Sequence, residues 1–224
     1  MMQHTDVSRR SVLVSLLLVL LIVALVSRGD AQETACTGPY KGKTLNWREL
    51  DMVLTPHKAW ATARGEGKYS RETLDKHRAN LCGADLRGMN FSGATLDWAD
   101  LRETMLSGAD LSGAFLREAD LSGATLEETN FSHAVMVGTV LRQANLHNAT
   151  LDGAILRFAD LSEADLTEAN LTDADLRWTN LSRAVLTGAI LRGATLAWAT
   201  LRDVDLNSVD LEEVDLRGVE MPTP

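Results

Sequence analysis

From Ala79 to Pro224 the chain contains no lysine, and over its full 224 residues it has only two cysteines. Without lysine, that stretch sets ten arginines against 23 carboxylates, a net charge of −13, whereas Met1 to Arg78 carries 12 basic and 8 acidic residues. Affinity for a nucleic-acid backbone comes largely from counterion release by Lys and Arg, so this balance argues against direct nucleic-acid binding and leaves mimicry of a nucleic acid open. Catalytic vocabulary is also sparse. His4, His57, His77, His133 and His147 are scattered, and Cys36 and Cys82 do not stand at zinc spacing. No glycine-rich phosphate loop or nucleophile motif occurs. The expectation is therefore no catalytic residue, no metal, no cofactor and no enzyme activity.

One long hydrophobic run is present. Ser11 to Val26 is apolar apart from two serines, follows Arg9 and Arg10, and is succeeded by the polar Ser27-Arg28-Gly29-Asp30, the layout of a signal peptide or signal anchor. Gly29 and Ala31 supply small residues at −3 and −1 for cleavage before Gln32. If it is not cleaved, residues 11–26 become the membrane attachment, though a span takes about 20 residues. In both cases the basic end stays inside and the rest is exported, to the periplasm or to the extracytoplasmic side of a membrane. In such an oxidising compartment Cys36 and Cys82 either pair or remain two free thiols.

The rest of the chain is dominated by a period of five. Every fifth residue from Leu81 to Met221 is Leu, Phe or Met, 29 in succession and 25 of them Leu, with no insertion. Two places before nearly every such centre stands a small residue, usually Ala, as in Ala84-Asp85-Leu86 and Ala159-Asp160-Leu161. Five matches neither the helical period of 3.6 nor the strand period of 2. Extended backbone turns the small residue and the centre inward, and the two outward residues that follow must turn a corner. Gly stands at the second of these in Gly83, Gly88, Gly93 and eight later repeats, where a turn needs its backbone freedom. Four corners close a square coil of twenty residues, giving about seven coils and a stack about 35 Å long at the sheet spacing of ~4.8 Å.

This A-(D/N)-L-x-x pattern resembles the pentapeptide-repeat family over 146 of the 224 residues. The resemblance implies an all-β solenoid, a right-handed quadrilateral β-helix, and says little about function. Some members carry a His-x-x-Trp helix before the first Arg-Ala-Asn-Leu, and His57, Trp60 and Arg78-Ala79-Asn80-Leu81 match that arrangement. Asn46-Trp47-Arg48-Glu49 reads as one capped helix start, and Thr55-Pro56 as the start of a second short helix ending at Gly65. Three segments result: 1–31 signal or anchor, 32–78 linker and helical cap, 79–224 β-helix. In the last coil the small residues become Val204, Val209, Val214 and Val219, larger side chains that thicken the terminal layer.

One side of the square differs from the other three. On the side centred on Leu96, Leu116, Met136, Leu156, Leu176, Leu196 and Leu216 the outward places hold Trp98, Phe115, Ile155, Phe158, Trp178 and Trp198, with Arg117, Arg157 and Arg177 beside them. Phe158, Trp178 and Trp198 lie twenty apart and are expected to stack as a ladder. Contiguous apolar surface rich in Trp and Arg marks an interaction site for a protein partner or a second copy. The competing readings are cover by residues 32–78 and a ladder that only stabilises the sheet. The resulting expectation is a non-enzymatic exported scaffold, a rigid acidic β-helix presenting this aromatic side. The alternative is a DNA-mimicking modulator of a nucleic-acid enzyme such as gyrase.

Overall fold

The computed structural model describes residues 36–65 and 78–221. The hydrophobic run and its cleavage site lie outside these residues, and among the described residues no helix is long and apolar enough to cross a membrane. The chain divides into Met1–Ala35 and Cys36–Pro224, of which the second is described here.

The period of five becomes four short sides and four corners. Parallel bridges join residues twenty apart, from Asn80–Asp100 to Thr200–Glu220, one bridge residue to a side. At every corner but that of Ser208 the residue two places after the centre is left-handed, and the amide after it donates back to the centre carbonyl, as from Ala84 N to Leu81 O at 2.9 Å. This is the geometry of a turn whose third residue needs positive φ. Glycine meets that need freely, yet sixteen of these corners in the stack carry other residues, among them Trp98, Phe158, Trp178 and Trp198.

The centres from Leu81 to Leu201 are buried, as are the alanines two places before them except the partly buried Ala94. Most of these places hold only a methyl group, with Met89 and Val204 among the larger exceptions, and where Thr takes the place its hydroxyl is satisfied inside. Thr129, Thr139 and Thr179 donate to the carbonyls of Leu106, Leu116 and Leu156 in the preceding coil, at 2.8–2.9 Å. Asp or Asn just before a centre accepts the amide two residues on, as Asp110 does from Ser112 at 3.0 Å. The polar positions thus serve the turn itself.

At the C-terminal end the pairing thins. Among the described residues no bridge joins Val185 to Asp205, and Ser208 is the one corner without positive φ. Val204 is buried, but Val209, Val214 and Val219 are only partly so.

The N-terminal cap departs from expectation in two ways. Instead of two short helices there is one, α1, Trp47–Gly65, which runs through Pro56. Its start is a reciprocal cap: Asn46 Oδ1 accepts from the amides of Arg48 and Glu49, and Glu49 Oε2 accepts from the Asn46 amide. Pro56 removes one helical donor, to the carbonyl of Met52, but both residues are exposed, so water can serve that carbonyl. Buried Leu50, His57 and Trp60 hold the helix to the stack on both sides of the proline. The second departure is a rung ahead of α1. Gly42 is left-handed like a corner, Lys43 N donates to Tyr40 O at 2.9 Å, Thr44 bridges Asp85 in parallel, and Leu45 joins the core.

Candidate aromatic interaction face

The outward aromatics are held at rigid places. Trp98, Phe158, Trp178 and Trp198 occupy left-handed corners (φ 56–64°), whereas Phe115 and Ile155 stand at bridge positions in one ladder with Val135 and Asp175. Corner side chains lean towards the following coil, so that Trp198 lies over Gly218, where an added Cβ would meet its ring at 2.5 Å. Phe158 and Trp178 stack with centroids 5.1 Å apart and planes 4° from parallel. The ring stack ends there. The expected three-ring ladder is two rings long, because Trp198 packs on Gly218 instead of Trp178.

The N-terminal end of the face is covered by the chain itself. Trp60 of α1 meets Trp98 edge to face at 6.0 Å, and the Arg64 guanidinium sits 4.7 Å from the Trp98 ring centroid. Trp98 Nε1 donates to Glu118 Oε2 at 3.0 Å, and its carbonyl accepts from Arg78 Nε. His57, buried in the helix, accepts from the Ala79 amide through Nδ1 at 3.0 Å and so ties α1 to the first repeat. Sequence reasoning placed His57 and Trp60 in the cap and Arg64 in the same helix, but missed the packing of Arg64 on Trp98. Between α1 and the coils lies a cleft of about 420 Å³ lined by Ala61, Thr62, Thr95, Trp98, Phe115 and the Asp97–Arg117 pair.

Beyond the helix the face is open. Phe115, Phe158, Trp178 and Trp198 are 38, 44, 45 and 59 % exposed, and Ile155 is half-buried between them. Its arginines are all paired. Arg117 donates to the nearly buried Asp97 through its amide (2.7 Å) and Nη1 (3.3 Å), and lies 5.3 Å from the Phe115 centroid. Arg177 grips Asp175 with two bonds of 2.7 Å, and Arg157 Nε stands 3.5 Å from the same carboxylate. Burial works to raise the Asp175 pKa, but the hydrogen bonds and charge of Arg177, with the charge of Arg157, bring it below the usual value. Asp215 is held down to about 2, chiefly by its side-chain bonds to Arg217. These forks come from a recurring Asp-Leu-Arg that the period had assigned only to turning.

Cys36 and Cys82 are bonded to each other, with Cα atoms 5.7 Å apart, closing a loop that contains the extra rung and α1. Among the described residues no group of His, Cys, Asp and Glu could hold a metal ion.

Comparison with known proteins matches the pentapeptide repeats, in eight copies, to residues 77–108, 106–143, 144–183 and 179–218. Among solved structures, the chain is similar to a pentapeptide repeat protein of the Arabidopsis thaliana thylakoid lumen. The two are 35% identical, over 48% of this chain and 71% of that one, with a TM-score of 0.30. It is also similar to HetL of Nostoc sp. strain PCC 7120, involved in heterocyst differentiation regulation (30% identity, 62% and 81% covered, TM-score 0.24). A third is QnrB1, a plasmid-mediated fluoroquinolone resistance protein (21% identity, 65% and 86% covered, TM-score 0.37). No curated protein matches the chain.

Proposed function

The chain belongs to the pentapeptide-repeat family, whose fold is the right-handed quadrilateral β-helix, and from that premise we propose that it is a non-enzymatic exported scaffold presenting the side from Phe115 to Trp198 to a protein partner or second copy. The observation that carries this reading is the exposure of four large aromatics in one stripe, three of them at left-handed corners. Sixteen non-glycine residues occupy such corners and most are polar, so what sets these three apart is the size and exposure of their rings, held rigidly by the coil. Exposed apolar stripes flanked by arginine are the usual ground of interface hot spots.

Export is supported by the hydrophobic run before Gln32 and by the Cys36–Cys82 bond, since disulfides persist in oxidising compartments. The repeats then lie in the periplasm, free or held by residues 11–26. The test is affinity purification of tagged full chain from the native envelope, comparing wild type with Trp178→Gly/Trp198→Gly. Glycine suits both corners, so folding is kept. Loss of bound protein with the double variant supports the reading, and an unchanged set of bound proteins removes it.

The acidic surface favours a second reading, a DNA-mimicking modulator of a cytoplasmic nucleic-acid enzyme such as gyrase. Cell fractionation separates the two: a cytosolic chain with an intact Met1 terminus and free thiols supports the mimic.

A further inference from the structure

The charge of the coil stack is not shared evenly among its sides. The aromatic side carries four carboxylates, Asp97, Glu118, Asp175 and Asp215, and four arginines, Arg117, Arg157, Arg177 and Arg217, and is neutral. The other three hold 19 carboxylates and six arginines and carry the whole −13. The side facing directly away, centred on Leu86, Leu106 and their equivalents, is −5 by itself, with six carboxylates and Arg87 alone.

This partition narrows what can occupy the stripe. A basic partner is steered to the three acidic sides, where the field is strongest, and not to the neutral one. Stacked ring faces do not offer the flat platform that a sugar or base needs, because Phe158 and Trp178 face each other. A body carrying the same negative charge as this one is repelled everywhere except here. The corner sequence adds a symmetry. Along the stack it runs Gly138, Phe158, Trp178, Trp198, Gly218: no side chain, three rings, no side chain, the same size order from either end.

The geometry points to a second copy of this chain as the occupant, docked antiparallel through the neutral side with a two-fold axis at Trp178. Phe158 of each copy then lies opposite Trp198 of the other, and Gly138 opposite Gly218. Such a contact is isologous and closes on itself. Its N-terminal limit is set by α1, whose Trp60 and Arg64 already occupy Trp98. Five coils span about 24 Å, so the contact sits at the small end of interface sizes and is read at high protein concentration. The inference rests on the reading of this side as an interaction face and names its partner.

Cysteine cross-linking of the full chain in its native envelope tests it, Cys36 and Cys82 being engaged with each other. Trp178→Cys is expected to give a disulfide-linked dimer on non-reducing gels. Phe158→Cys co-expressed with Trp198→Cys is expected to cross-link more than either does alone. Asn148→Cys, at an equivalent left-handed corner of the opposite side, is the background. Sedimentation of wild type against Trp178→Gly gives a readout without new thiols, with the dimer lost in the variant. Cross-linking of Trp178→Cys no stronger than of Asn148→Cys, or a monomeric wild type, overturns the dimer. Equal cross-linking of Phe158→Cys with itself overturns the antiparallel arrangement. If the wild type is monomeric but Trp178→Gly/Trp198→Gly still sheds a different bound protein, the second copy is refuted and the interaction face stands. If that variant sheds nothing, both fall.

Discussion

A side chain at a left-handed corner costs roughly 1–2 kcal/mol relative to glycine, so each aromatic corner is held against a local preference. Replacing Trp178 by alanine removes the ring and keeps the strain, whereas glycine removes both. Trp178→Gly is therefore expected to melt above Trp178→Ala, by the equivalent of about 1 kcal/mol or more. Equal melting temperatures would mean that the corner stores no strain. The Asp-Leu-Arg forks are residue-scale devices too, and their sign is fixed by direction. Asp215 titrates at about 2 against an ordinary 3.8, so its contribution is full above the ordinary value and fades as pH falls through about 2. Arg217→Gln abolishes the fork. Denaturant unfolding followed by circular dichroism is expected to find the variant less stable than wild type at pH 5, with the gap shrinking as the pH falls below the ordinary value and closing below the folded-state value. A gap unchanged between pH 5 and pH 2 would place the effect elsewhere than in this ionisation.

Among the elements, α1 has the most separable support. Its capping box, the buried Leu50 and Trp60 and the His57 bond to Ala79 act beside a disulfide that closes 46 residues of chain. Chain-entropy arithmetic gives such a loop about 4 kcal/mol. Reduction, or Cys36→Ala, is expected to loosen the cap from Trp98 and shift tryptophan emission to the red while the β-helix signal in circular dichroism persists. An emission spectrum unchanged by reduction would show that buried Leu50, His57 and Trp60 suffice. The coils were legible in the sequence because one inward Leu and one inward Ala per five residues leave a single way to fold. The rung at 40–45 was not, since Leu45 stands 36 residues before Leu81, out of frame, and Lys43 replaces the small residue. Its one signal was Gly42, two places after Tyr40 as a corner glycine follows a centre. Pro56 was read as a helix start because local preference favours that, and tertiary packing of Leu50 and Trp60 overrode it. The aromatic side could be sorted from the period alone, but not the turn of Trp198 away from Trp178, which depends on Gly218 offering open backbone.

Across the whole stack two electrostatic effects oppose each other, and salt separates them. Carboxylates on the three acidic sides repel one another through solvent, where screening acts: its length is about 8 Å at physiological ionic strength and ~30 Å at 0.01 M. The Arg–Asp forks attract at hydrogen-bond contact, where screening is weakest: 2.7 Å in Arg102–Asp100 and Arg177–Asp175, 2.8 Å in Arg87–Asp85. Salt therefore removes more of the repulsion than of the attraction. The melting temperature is expected to rise between 0.01 and 0.15 M sodium chloride, and the fraction of dimer with it, because two copies of −13 approach more easily when screened. A melting temperature that falls with salt would mean that the forks outweigh the mutual repulsion of the sides. In that case the neutrality of the aromatic side would be a by-product of fork placement, and its claim to be where like-charged copies meet would lose its electrostatic ground.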